Sequence, residues 1–171
     1  VPLKAADVDS SISFTADELL YRRVSPDGFN SKMELLPSEL ETFSFDKEIE
    51  GAPSVNRGMF SSPEDVLHVD CAGKPLQGWF VYCVTVGSLP QSLAAGDGKL
   101  FDFKPVHRPK TLCGAHSVIS SYLKADVEQT YRMPTRPVKN ALRAKLVSIL
   151  SPCDVAPAAQ SEAIPDERPS I

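Results

Sequence analysis

Residues 79–86, Trp-Phe-Val-Tyr-Cys-Val-Thr-Val, constrain the fold of this chain more than any other segment. All eight are apolar, aromatic or β-branched, and Gly78 introduces them. A run of this length is strand-sized, and its apolar character on both faces predicts a central strand covered on both sides. Glu18–Val24 reads as another strand, with Leu20, Arg22 and Val24 on one face and Leu19, Tyr21 and Arg23 on the other. Thr15 and Glu18 would also suit the start of a short helix, but Pro26 and Gly28 end the element early, which favours a strand. Phe43 and Phe45 alternate in a further short strand, Pro53–Arg57 reads as extended, and Leu100–Phe103 and Ala115–Ser120 add two more.

Two helices complete the set. Ser62-Pro63-Glu64-Asp65 places a capping residue, a proline at the first helical position and two acids at the positive end of the helix dipole. A short helix is predicted from there through Val66 and Leu67 towards Val69. Between Pro137 and Pro152, the residues Val138, Ala141, Leu142, Leu146, Ile149 and Leu150 share one helical stripe opposite Lys139, Arg143 and Lys145. The expected class is α+β: a mixed, mainly antiparallel sheet with a short helix after Ser62 and a C-terminal amphipathic helix. Residues 1–14 read as a flexible lead-in, 15–150 as a single domain, and the Pro-, Ala- and acid-rich 151–171 as a disordered tail.

A hydrophobic fraction of 42% suffices for a core over 171 residues. No stretch approaches the roughly 20 apolar residues of a membrane-spanning helix, and no basic segment followed by an apolar run opens the chain. Four cysteines are too few for a disulfide-stapled scaffold, so they are read as mostly reduced and the chain as cytoplasmic. Charge is uneven. Residues 99–145 hold 10 Lys+Arg against 3 Asp+Glu, while residues 1–98 hold 7 against 15. The two parts are expected to pack together and neutralise each other, leaving the basic part a lesser claim on an anionic ligand.

Candidate chemistry is sparse. His68-x-x-Cys71 and Cys113-x-x-His116 would supply four zinc ligands if folding joined them. Neither pair has the Gly-rich setting of a zinc knuckle, and the spacing is read as coincidental. Cys113 with His116 or His107 and Asp102 would make a nucleophilic set only if the fold assembled it; a buried structural cysteine is the simpler reading. The cations Lys104, Arg108, Lys110, Lys124, Arg132, Arg136, Lys139 and Arg143 accompany no nucleic-acid motif. Phosphate-loop, dinucleotide, metalloprotease and nucleophile-elbow signatures are absent from the sequence.

Several blocks, in order, resemble a family of small bacterial proteins without an assigned activity. They are Leu20-Tyr21-Arg22 with Val24 and Pro26, Ser54-Val55-Asn56-Arg57, Ser62-Pro63-Glu64-Asp65, Val84-Thr85-Val86 and Ala115-His116-Ser117-Val118-Ile119. A more distant resemblance is to RES-type toxins, which have an ADP-ribosyltransferase-like fold and consume NAD. That resemblance implies that Arg22 binds the cofactor's phosphates through its planar fork. It implies also that Tyr21 or Phe60 stacks on nicotinamide. The later glutamate of those toxins has no clear counterpart, and Glu64 is accounted for as a helix-capping acid.

Two functions are therefore expected to compete. The first is a small bacterial binding or regulatory domain with a protein partner, of the kind found in toxin, defence or multi-protein systems. The second is a small NAD- or nucleotide-acting enzyme using Arg22, Asn56, Arg57 and His116. The first requires those four residues to be scattered or structural; the second requires at least three of them to line one concavity beside an acid.

Overall fold

The structure, a computed structural model, describes residues 3–40, 52–68, 78–132 and 135–155. Among the described residues, seven strands form one curled antiparallel sheet: β1 (Leu19–Val24), β2 (Ser54–Arg57), β3 (Phe80–Thr85), β4 (Leu93–Ala94), β5 (Leu100–His107), β6 (His116–Leu123) and β7 (Ser151–Pro152). Their spatial order is β4-β5-β6-β2-β1-β3-β7. The α-helices α1 (Pro63–His68) and α2 (Arg136–Ile149) accompany them. The class is thus α+β.

The centre of the sheet is β6-β2-β1, and this differs from the sequence expectation. β3 lies one place from an edge, beside the two-residue β7, and Phe80 is 42% exposed. In place of the most apolar segment, the middle holds the polar His116-Ser-Val-Ile-Ser-Ser121, of which every residue is buried. Main-chain pairing on both sides supplies the hydrogen bonds that make such burial tolerable. β5 also runs on past Phe103, where the sequence placed its end, to His107. Pro105 sits within it opposite Ile119.

Sheet pleating sorts the side chains to two faces. On one, Leu20, Val55, Val84, Phe101, Phe103 and Ile119 meet Val138, Leu142 and Leu146 of α2, forming the main core. On the other, Tyr21 and Val81 pack beneath Val66 and Leu67 of α1. The start of α1 is held by a reciprocal cap. The Ser62 N–H donates to Asp65 Oδ2 (3.0 Å), and the Asp65 N–H donates to Ser62 Oγ (3.2 Å).

The segment read as a loose lead-in is tied to the body. The Gly114 N–H donates to the Leu3 carbonyl at 2.7 Å, and the Ala5 N–H to that of Thr111. A Cβ at Gly114 would lie 2.5 Å from the Lys4 carbonyl oxygen, so the crossing needs glycine there. At the other end the domain continues into β7, beyond the boundary expected at residue 150. Residues 156–171 and the strand expected around Phe43 and Phe45 lie outside the described residues.

Candidate functional site

β2 carries Asn56 and Arg57, two of the four residues that the sequence singled out, one on each face of the sheet. Asn56 lies opposite Tyr21 on β1 and His116 on β6, so these three form one row across the sheet. Arg57 falls on the opposite face, across from Leu20.

Arg57 is 0% exposed. Its Nε and Nη2 donate to the two oxygens of Glu18, each at 2.8 Å, in a bidentate pair. Nη1 donates to the Ile12 carbonyl (2.8 Å) and Nη2 to that of Ser13 (3.2 Å). The guanidinium is also flanked by the Phe14 ring at 3.9 Å and the Phe60 ring at 4.9 Å. Charge and hydrogen-bonding capacity are thereby committed inside the protein.

Arg22 is similarly engaged. Nη1 donates to the Ser54 carbonyl (2.8 Å) and Nη2 to the Glu39 carbonyl (2.9 Å), joining β1, β2 and the turn Pro37–Leu40. Burial lowers its pKa to about 10, opposed by the charge of Glu39 and reinforced by that of Arg23. The Glu39 carboxylate is itself bonded to the Ser25 N–H and hydroxyl.

His116, 4% exposed, ties β6 to β2 and to the residue that follows β5. Its Nδ1 lies 2.7 Å from the Arg108 carbonyl, which only accepts, so Nδ1 carries the proton. In the neutral ring Nε2 therefore accepts from the Ser54 hydroxyl at 2.8 Å. Asn56 Oδ1 accepts from the Cys113 thiol at 3.4 Å. Asn56, Ser61, Asp65 and Cys113 are the polar lining of a hollow of about 280 Å³, open mouth included. Arg22, Arg57 and His116 do not line it.

The members of the nucleophilic set have other described partners. Cys113 meets Asn56, His116 meets Ser54 and Arg108, His107 Nδ1 lies 3.1 Å from Ser117 Oγ, and Asp102 accepts from the Ser92 N–H. Of the aromatic residues assigned to nicotinamide, Tyr21 is packed with Val66, Leu67 and Val81. Phe60 is against Arg57 and against His107, whose ring centroid is 5.4 Å away. Burial raises the Tyr21 pKa, with smaller contributions from Cys153, Cys83 and Glu64.

His68 ends α1 and Cys71 lies outside the described residues, so that half of the zinc quartet has no described side-chain geometry. Among the described residues no cluster of three or more His, Cys, Asp or Glu is placed to hold a metal. Glu18, Phe14, Glu39 and Ser54 complete the network, and sequence reasoning missed their roles. Glu18 is 39 positions from Arg57, and nothing local signals such a pair.

A second hollow, about 260 Å³ with its mouth, lies where α2 meets the sheet. Pro53, Phe103, Ile119 and Leu142 line it together with Lys139 and Arg143. Within the described residues no helix is long and apolar enough to cross a membrane. No family model matches the chain, and neither the curated proteins nor the solved structures contain a match to it.

Proposed function

We propose that the chain is a small binding or regulatory domain, not an NAD-consuming enzyme. The observation that carries this reading is the internal commitment of Arg57, whose guanidinium is wholly buried against Glu18 and near two aromatic rings. Arg22 and His116 support it, since each is bonded to main chain or to a neighbouring strand. A phosphate-binding arginine has to present its fork to a ligand, and here the forks bridge parts of the fold.

The surface best suited to a partner is the flank of α2. The helix carries Arg136, Lys139, Arg143 and Lys145 and no acidic residue. Lys139 and Arg143 stand beside the apolar hollow, so the matching partner is an acidic protein segment with an apolar anchor. Nucleic acid fits less well, because the floor is apolar and the whole chain has a net charge of −4. A domain of this kind suits a bacterial toxin, defence or multi-protein system working in the cytoplasm, in keeping with the resemblance to small bacterial proteins.

Fluorescence anisotropy tests the surface, using a labelled dodecapeptide of Glu and Asp with one central Leu. Saturable binding is expected, weakening as salt rises and falling at least about tenfold, or ~1.4 kcal/mol, in a Lys139→Glu/Arg143→Glu variant. Equal binding by the variant, or none by the parent protein, would refute this surface.

A further inference from the structure

The short strand β7 brings two cysteines together on the sheet. Tyr82 lies opposite Pro152 and Cys83 opposite Ser151, and the Cys153 N–H donates to the Val81 carbonyl at 2.8 Å. Cys153 is therefore level with Val81. Val81 and Cys83, two apart on β3, share a face. Cys83 and Cys153 accordingly stand diagonally across adjacent antiparallel strands, and both pack against the cluster of Tyr21, Val66, Leu67 and Val81 beneath α1. Both are half-buried thiols, whereas Cys113 is buried and bonded to Asn56.

The proximity is also electrostatic. Burial, and then the Cys83 thiol beside it, push the Cys153 pKa up to about 12, with further contributions from Asp154 and Glu64. Cys153 therefore keeps its proton at neutral pH while the Cys83 thiol stands beside it.

We propose that Cys83 and Cys153 are a thiol-modification site, which a small-molecule disulfide of the glutathione type converts into an intramolecular disulfide tying β7 to β3. The Cys83 thiolate attacks one sulfur of the small disulfide, forming a mixed disulfide and expelling one thiolate, which takes up a proton. Capping Cys83 removes the neighbouring thiol that holds the Cys153 pKa up. Cys153 then gives its proton to solvent and attacks the Cys83 sulfur, expelling the second small thiolate. Two protein thiols and one small disulfide become one protein disulfide and two small thiols; two electrons pass from the protein to the oxidant.

Diagonal neighbours stand roughly 7–8 Å apart, against about 5.5–6 Å between the Cα atoms of a disulfide. Closure thus asks for a displacement of ~1–2 Å. β7 is suited to give it, being two exposed residues at the sheet edge, paired on one side through a strand that contains a proline.

The test incubates the full chain with oxidised glutathione at pH 7 and pH 9, alkylates it under denaturing conditions and maps its peptides by mass spectrometry. The expected product is a Cys83–Cys153 cross-link formed faster at pH 9, with two of the four cysteines still open to alkylation. Dithiothreitol should reverse it, and the oxidised form should melt at a higher temperature. Cys153→Ser should stop at a Cys83–glutathione mixed disulfide. A cross-link through Cys71 or Cys113, or persistent mixed disulfides in the parent protein, would overturn the proposal.

Discussion

Arg57 and Glu18 illustrate how a charge can be structural. With 0% and 4% of their side chains exposed, they are stabilising only as a pair, because each would be an uncompensated buried ion without the other. Arg57→Met should therefore cost about 3–5 kcal/mol, read as the loss of unfolding free energy in urea. Combining it with Glu18→Leu should recover part of that loss. His107 supplies a pH signature beside the same pair. Burial lowers its pKa and the charge of Arg57 lowers it further, while Glu18 opposes them. The folded protein thus holds fewer protons on His107 than the unfolded chain, whose histidine titrates near ~6.5. This contribution to stability is full above that pH and is lost as the pH falls through the window below it. Urea unfolding at pH 7.5 and 5.5 should show the fall, and His107→Gln should make it smaller.

At the scale of elements, Leu146 is the residue of α2 most completely buried against the sheet, at 1% exposure. Leu146→Ala should lower stability by about 2–5 kcal/mol, depending on how far the cavity collapses. The cap of α1 is smaller in effect: Ser62→Ala should cost about 0.5–2 kcal/mol. Thermal or urea melts would measure both. The α1 start was legible, since Ser62, Pro63 and Asp65 act on their own backbone within one turn. The alternation around Leu20 and Val24 was legible for the same local reason, and both residues are fully buried. The place of β3 in the sheet was not. Its apolar character reflects one face under α1 and one in the main core, and does not require a strand on each side. β6 was undervalued because serines and a histidine mark exposure on average, whereas here hydrogen bonds such as Ser121 Oγ to the Arg132 carbonyl allow burial.

For the whole molecule, the sequence could name Arg22, Asn56, Arg57 and His116 but not the neighbours that folding brings to them. The row Tyr21-Asn56-His116 is a consequence of register, and register depends on which strands pair, a non-local choice that no spacing in the sequence reports. Once paired, the strands turn Arg22, Arg57 and His116 into ties between β1, β2, β6, the residue after β5 and the chain leading into β1. Those ties leave the α2 flank as the surface through which we expect the domain to act. Calorimetric titration of NAD into the intact protein is the most direct test of that account. The expected result is no saturable heat at millimolar NAD. Saturable binding that Arg22→Lys or Asn56→Ala abolishes, in variants that still fold, would contradict it.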